Sequence, residues 1–200
     1  MGWSLALLGK VYTNIGKHNE VKEVLEQSLA IHKKFYPDTH IEVAWASLLL
    51  ANACKELGQY EKLKALLQHC LELHTQHFGK DHSQTAEVLM SFGEVYGREN
   101  NIETAHTYFQ EALKIYQKHH HFDHYKVLEN LAELCLRRSN LLDNKLGMAE
   151  SQNLKKQALH YFNQALEIIE KNLAADSFHN IRLQNKIKNL MKDEEDLTRS

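Results

Sequence analysis

The sequence predicts an all-α protein built from repeated helix pairs, and three observations lead to that fold class. Only one proline and eight glycines occur in 200 residues, so few positions interrupt a long helix. Leu, Ala, Glu, Lys and Gln, which are good helix formers, are abundant along the chain. A pattern of small and large apolar residues returns every 42 residues. With 43% hydrophobic and 25% charged residues, the chain can also bury a core.

The 42-residue period is clearest in a motif of a large apolar residue, a small residue and, three positions later, an aromatic residue. The motif and its counterparts begin at Leu8-Gly9, Leu50-Ala51, Phe92-Gly93 and Leu134-Cys135 and end at Tyr12, Cys54, Tyr96 and Arg138. A second set has the same spacing and comprises Val21, Leu63 and Ala105, then Leu25, Leu67 and Phe109. The small residues let one helix approach its partner closely, and stacked pairs supply the core that a single pair lacks.

Each helix pair is preceded by a start signal at the same spacing. Thr39, Asp81 and Asp123 are 42 residues apart, and all three are good N-cap residues. Glu42 and Gln84 fall three residues after the first two and complete capping boxes. The predicted helices span residues 3–16, 19–35, 40–57, 60–77, 82–98, 101–119, 124–139, 154–173 and 178–193.

The fourth repeat departs from this period. Its second-helix motif begins at Ala158, 20 residues after Arg138, whereas the corresponding distance is nine in the other repeats. The sequence therefore predicts an insertion at residues 140–153 that forms an exposed loop or longer helix ends. The last helix, residues 178–193, has one apolar face and one charged face and is expected to cap the repeats.

These positions resemble the tetratricopeptide repeat, whose first helix carries Leu-Gly-x-x-Tyr and whose second carries Ala-x-x-x-Phe-x-x-Ala. The 42-residue period and the links that end in His40, His82 and His124 look like the kinesin-light-chain variety, although Pro37 stands where that variety has glycine. The resemblance implies a right-handed superhelical solenoid of antiparallel helix pairs, with about four repeats and a C-terminal capping helix.

The same resemblance implies one domain over the whole chain. The repeats in that domain cover residues 3–38, 39–80, 81–122 and 123–175. The first helix has no capping segment before it, so we expect the chain to have been excised from a longer protein.

Charge and cysteine content argue against several classes of protein. The net charge is −2 and the basic residues form no stripe, so nucleic-acid binding is not expected. Cys54, Cys70 and Cys135 are odd in number and widely spaced, which indicates a reducing compartment. The apolar start of the chain is too short to span a bilayer and lacks a basic leader. The sequence predicts a cytoplasmic protein with no membrane association.

No catalytic signature is present, so neither an enzyme activity nor a cofactor is expected. The chain has no Gly-rich phosphate loop, no GxSxG and no HExxH, and its cysteines fall on repeat positions that favour packing. A histidine cluster has the composition of a metal site and consists of His119, His120, His121 and His124. Three consecutive residues at a helix end point in different directions, so no functional metal site is predicted.

The candidate binding site follows from the resemblance, because such repeats bind ligands mainly along a concave surface lined by their first helices. The resemblance places ten residues there: Lys10, Asn14, Trp45, Asn52, Lys55, Glu87, Met90, Glu94, Arg98 and Glu129. Trp, Met and Arg are common interface anchors, and Asn can pair with a peptide backbone. Lysines in the first half and glutamates in the second would suit a ligand with opposite charges at its ends. The alternative is an ordinary solvated helical face.

The sequence therefore predicts a protein-interaction scaffold that binds a peptide or a partner segment in the concave groove. A regulatory or sensor module of a larger multidomain enzyme or signalling protein is the alternative. The uncapped first repeat would also allow weak self-association.

Overall fold

The computed structural model describes residues 2–14, 17–143 and 147–199, and over these ranges it contains helices and no strand. The helices are α1 Gly2–Asn14, α2 His18–Phe35, α3 Ile41–Glu56, α4 Tyr60–Phe78, α5 Ser83–Arg98, α6 Ile102–Lys118, α7 His124–Asp143, α8 Met148–Asn172 and α9 Phe178–Arg199. The contacts divide the chain into two compact units, unit 1 (Met1–Val95) and unit 2 (Tyr96–Ser200). A single domain over residues 1–200 stays a prediction.

The predicted helices are confirmed in type and order, and α2 to α6 begin and end within one residue of the predicted positions. The largest errors are at the insertion and at the end of α9, which reaches Arg199 rather than residue 193. Residues 140–143 extend α7, and α8 begins at Met148 rather than at residue 154. Of the two expected forms of the insertion, longer helix ends are therefore found over the described residues.

In unit 1, α1 packs against α2, α3 packs against α4, and α2 joins the two pairs by packing against α3. Val21, Leu25, Leu63 and Leu67, which are predicted core residues, are all buried. A Cβ atom added at Gly9 would lie 2.8 Å from Leu25 Cδ2, which is closer than side chains normally approach. The predicted close approach of the first pair therefore depends on the missing side chain at Gly9.

In unit 2, α7 packs against both α6 and α8, and α9 packs against α8. The core contains Phe109, Phe162 and Leu183. The insertion joins this packing, because the buried hydroxyls of Ser139 on α7 and Ser151 on α8 lie 2.8 Å apart and share a hydrogen bond. This contact ties the extended ends of the two helices together.

Helix α9 has the register of a first helix of a further repeat. Its two ion pairs to α7, Arg182–Glu129 and Lys186–Glu133, both join residues 53 positions apart. That distance is the 42-residue period lengthened by the eleven inserted residues. Residue 182 therefore corresponds to residue 129, and through it to residues 45 and 3.

The helix-start signals lie one residue later than predicted in the first two links. His40, not Thr39, is the N-cap of α3, and its Nδ1 accepts a hydrogen bond from the backbone N–H of Glu42 at 3.2 Å. His82 makes the same contact with the N–H of Gln84 before α5. The prediction was wrong because an unprotonated imidazole nitrogen can replace the hydroxyl or carboxylate oxygen that usually caps a helix.

Candidate interaction surface

The first part of the candidate surface lies on α3 in unit 1. Trp45 is partly buried and stacks on Trp3, with ring centroids 4.3 Å apart and an interplanar angle of 30°. Trp45 also makes a T-shaped contact with His32, with ring centroids 6.3 Å apart. Asn52, seven residues further along the same helix, has an exposed side chain. Positions seven apart lie on one helix face, so α3 presents an aromatic ring and an exposed amide on the same side.

The second part lies on α5, where Glu87 is exposed and Met90 is partly buried. Lys55 Nζ on α3 donates a hydrogen bond to Glu94 Oε2 on α5 at 2.5 Å, and the two side chains are 18% and 23% exposed. This ion pair joins the two helices along the candidate surface. It also means that Lys55 and Glu94 neutralise each other, so they do not present separate positive and negative ends to a ligand.

The remaining predicted surface residues differ in exposure and in hydrogen-bond partners. Arg98 is the last residue of α5 and is exposed. Glu129 in unit 2 is only 7% exposed, and its carboxylate accepts hydrogen bonds from the Arg182 guanidinium at 2.5 and 2.8 Å. The side chains of Lys10 and Asn14 lie outside the described part of the structure. Glu129 is therefore buried and engaged by Arg182 of α9, and its role in ligand binding stays a prediction.

The three cysteines are free and buried, in agreement with their interpretation as packing residues. Burial raises the pKa of the Cys70 thiol to about 12, and its Sγ lies 3.2 Å from the carbonyl oxygen of Ala44. Burial also raises the pKa of the Cys54 and Cys135 thiols. Because the thiolate is the reactive form, these residues are poor nucleophiles.

The histidine cluster at the third link is engaged in backbone contacts. His121 Nδ1 accepts from the N–H of Asp123 at 3.2 Å, and His124 Nδ1 lies 2.7 Å from the carbonyl oxygen of His121. His119 and His120 are exposed. Within residues 2–14, 17–143 and 147–199, no group of three His, Cys, Asp or Glu side chains is arranged to hold a metal ion.

The sequence reasoning missed a ladder of rings at each of the first two links. His32, Tyr36 and His40 stack in the first link, with centroid distances of 6.2 and 4.5 Å. The second ladder repeats these distances closely, at 5.8 and 4.7 Å, and consists of His74, Phe78 and His82. The 42-residue spacing of His32 and His74 is the sequence signal that could have revealed it.

Comparisons with known proteins decide the family. Two family models, both described as tetratricopeptide repeat, match residues 42–118 and 4–34, which together make up more than half of the chain. The chain belongs to the tetratricopeptide-repeat family. The prediction of an all-α helical-repeat solenoid is therefore confirmed as a fold class.

Solved structures show the same fold at low sequence identity. The kinesin light chain TPR-like repeats of Podosopora anserina share 18% identity and a TM-score of 0.67, with 96% of this tetratricopeptide-repeat chain and 86% of that chain covered. BtubC (BKLC) from P. vanneervenii shares 14% identity and a TM-score of 0.59, covering 96% and 80%. The apo form of RapI shares 18% identity and a TM-score of 0.65, covering 85% of this chain and 56% of RapI. The predicted resemblance to kinesin-light-chain repeats is thus confirmed in fold.

Neither a curated relative nor a membrane-spanning helix is found for the described chain. No curated protein sequence matches this tetratricopeptide-repeat chain significantly. Among the described residues, no helix combines the length and the apolar character needed to cross a bilayer.

Proposed function

We propose that the chain is a protein-interaction scaffold and that a partner segment binds along the α3–α5 face of unit 1. Family membership supports the general function, because tetratricopeptide repeats generally mediate protein–protein interaction. One observation carries the location. On α3 the exposed amide of Asn52 lies on the same side as the partly buried ring of Trp45, so a polar and an apolar contact are available together.

The chemistry of this face favours a segment that offers both backbone groups and apolar side chains. Asn52 can donate to a ligand carbonyl and accept from a ligand N–H. The Trp45 ring and the flexible thioether of Met90 supply apolar contact area of the kind found at interface anchors. Because Lys55 and Glu94 pair with each other, the ligand does not need opposite charges at its two ends.

We further infer a reducing, cytoplasmic setting and a protein rather than a nucleic-acid partner. Three buried cysteines remain unpaired, which is the usual state in the cytosol. The net charge of −2 offers no general attraction for phosphate groups.

Site-specific photo-cross-linking tests the proposed face. A benzophenone amino acid is placed at Asn52 and, in a matched variant, at Gln76, which is exposed on α4. We expect discrete cross-linked products from position 52 in native lysate and none in common from position 76. Products that are the same at both positions would contradict a specific surface on α3.

Substitution of single side chains gives the energetic test on a partner identified in this way. Asn52→Ala should weaken binding by about 1–3 kcal/mol if its hydrogen bonds to the partner are buried. Gln76→Ala serves as the control and should leave the affinity unchanged. Unfolding curves check that both variants keep the stability of the parent chain. Equal affinities for the two variants would remove Asn52 from the proposed site.

A further inference from the structure

The first two links between repeats, both in unit 1, each hold a histidine that accepts a hydrogen bond at the start of a helix. His40 Nδ1 accepts from the backbone N–H of Glu42, and His82 Nδ1 accepts from the N–H of Gln84, both at 3.2 Å. Only a ring nitrogen without a proton can accept such a bond. The proton of each neutral ring therefore lies on Nε2.

Stacking holds these two imidazoles in place. His40 lies on the ring of Tyr36 at the end of α2, with centroids 4.5 Å apart and planes 22° apart. His82 lies in the same way on Phe78, the last residue of α4, at 4.7 Å and 18°. An imidazole that gains a proton can keep this position, because a cation is attracted to the face of an aromatic ring. Its new N–H group would then face the N–H from which the neutral ring accepted.

Protonation of either ring therefore removes the helix cap in two ways. The protonated nitrogen donates and can no longer accept, so the backbone N–H at the start of α3 or α5 loses its partner. A positive charge at this end of a helix is also unfavourable, because the helix dipole is positive there. A free imidazole titrates near pH 6.5, so both effects belong to the mildly acidic range.

The charged groups around His40 are engaged with other basic groups. Lys33 of α2 pairs with Asp38 in the link at 3.2 Å. The Glu42 carboxylate on α3 lies 3.9 Å from His32 Nε2 on α2. Attraction between these carboxylates and a protonated His40 does not restore the lost cap, because a carboxylate attracts the ring and the cap needs an acceptor for the backbone N–H.

The surroundings of His82 contain further histidines. Burial lowers the pKa of His74 on α4, and the nearby His82 and His77 lower it further. Lys80 and Asp81 precede His82 in the link and carry opposite charges. Like charges on His74 and His82 repel each other, so charging this link opposes the arrangement seen in the structure.

The third link, in unit 2, has the opposite contact at the same repeat position. His124 occupies this position, but its Nδ1 lies 2.7 Å from the carbonyl oxygen of His121 and therefore donates. The N–H of Lys126 donates to the carbonyl oxygen of Asp123 at 3.0 Å. The accepting ring in this link is His121, which contacts the N–H of Asp123 outside α7. Protonation of His124 therefore breaks neither of its own link's helix contacts.

We propose that the first two links of unit 1 form a pH-sensitive switch, in which protonation of His40 and His82 removes the caps of α3 and α5 and loosens the first turns of both helices. Trp45 lies five residues after His40, so the switch acts close to the proposed interaction face. The switch itself does not depend on that proposed function, because it is a property of the free chain.

The direct test is a titration of the ¹⁵N-labelled full chain from pH 7.5 to pH 5.5, followed by nuclear magnetic resonance. The ring nitrogens of His40 and His82 should show the Nε2–H tautomer at pH 7.5. The amide signals of Glu42 and Gln84 should move as these rings gain their protons, since each amide loses its acceptor. The amide signal of Lys126, which donates to a carbonyl oxygen, should move much less. Constant amide signals, or Nδ1–H tautomers, would overturn the proposal.

The double variant His40→Asn with His82→Asn tests the effect on stability, because asparagine caps a helix and does not titrate. Both tryptophans of the chain lie in unit 1, so chemical denaturation followed by tryptophan fluorescence reports on this unit. Between pH 7.5 and pH 5.5, the ratio of folded to unfolded protein should fall about fivefold more per cap in the parent than in the double variant.

The matched control is His124→Asn, the same substitution at the same repeat position in unit 2. It should leave the pH dependence of the tryptophan transition as it is in the parent chain. A double variant with the pH dependence of the parent would overturn the proposal. So would a His124→Asn variant that changes this dependence as much as the double variant does.

Discussion

The same repeat position makes opposite kinds of contact in the two units. In unit 1 the position holds Trp3, Trp45 and Glu87, and the two tryptophan rings stack at 4.3 Å. In unit 2 it holds Glu129 and Arg182, which form an ion pair with two hydrogen bonds. The period of the repeat thus fixes which side chains meet between neighbouring first helices. It does not fix whether they attract by apolar contact or by charge.

The two contacts differ in whether buried polar groups beside them lack hydrogen-bond partners. The Trp3–Trp45 stack adds apolar area and leaves no charge to be compensated. Beside the Glu129–Arg182 pair, Arg182 Nε is buried without a hydrogen-bond partner among the described residues, and so are both amide atoms of Asn180. Such groups cost stability. We therefore expect the contact in unit 1 to be the stronger of the two.

The largest effect is expected from Trp45→Ala, which removes the ring that packs on both Trp3 and His32. A fully buried tryptophan costs about 3–5 kcal/mol when truncated, and a partly buried one less, so we expect a loss of about 2–4 kcal/mol. Chemical denaturation followed by far-UV circular dichroism measures it. A loss below half a kilocalorie would mean that the stack contributes little and would break the comparison.

A smaller loss, about 1–3 kcal/mol, is expected from Glu129→Ala, because it leaves the Arg182 guanidinium partly buried without its carboxylate. The double change Glu129→Leu with Arg182→Leu should cost less than Glu129→Ala alone, since two apolar side chains can pack in place of the pair. Unfolding free energies of the single and double variants give the coupling. A double variant that is less stable than Glu129→Ala would show that the charges themselves are required.

Two buried glycines sharpen the comparison of packing between the units. Gly9→Ala in unit 1 should lose about 1–2 kcal/mol, because its Cβ would lie 2.8 Å from Leu25 Cδ2. Gly97→Ala in unit 2 would place a Cβ 3.6 Å from Leu134 Cδ1, an ordinary contact, and should instead gain up to about 1 kcal/mol from helix propensity. Thermal unfolding of the two variants is the measurement. Equal changes in stability would mean that α1 and α2 do not approach most closely at Gly9.

The smallest expected effect is a change of stability with pH. It arises at one repeat position, which holds His74 in unit 1 and Tyr116 in unit 2. Burial lowers the pKa of His74, and the nearby His82 and His77 lower it further, against a hydrogen bond to the carbonyl of Cys70 that raises it. The unfolded chain therefore binds more protons below about pH 6.5, so stability should fall as the pH drops through that value.

The variant His74→Tyr isolates this contribution from the other histidines. It copies Tyr116 and should show a smaller loss of unfolding free energy between pH 7.5 and pH 5.5 than the parent chain does. Chemical denaturation at both pH values is the measurement. An identical pH dependence in the two proteins would assign the effect to other histidines.

Most of the helical framework could be predicted, because the 42-residue period and the scarcity of glycine and proline leave few other arrangements. The start of α8 was missed by six residues because no local signal distinguishes a loop from a helix at residues 148–153. The hydrogen bond between Ser139 and Ser151, which ties the two helix ends together, forms only in the folded chain.

The candidate site was less predictable than the fold. The register implied by the resemblance placed Trp45 and Asn52 on one side of α3. The pairing of Lys55 with Glu94 depends on how α3 and α5 lie against each other, and the sequence gives only the list of charges. The sequence likewise did not reveal that Glu129 pairs with Arg182. That pairing depends on the length of the insertion between α7 and α9.

The sequence by itself determined the helices, their order and the positions that correspond between repeats, because these follow from short-range periodicity and from the steric size of residues such as Gly9. Only the tertiary structure decided which charges neutralise each other, because each of these ion pairs joins side chains from helices that are distant in the sequence. Lys55 and Glu94 are an example, since their charges meet only when α3 and α5 lie against each other.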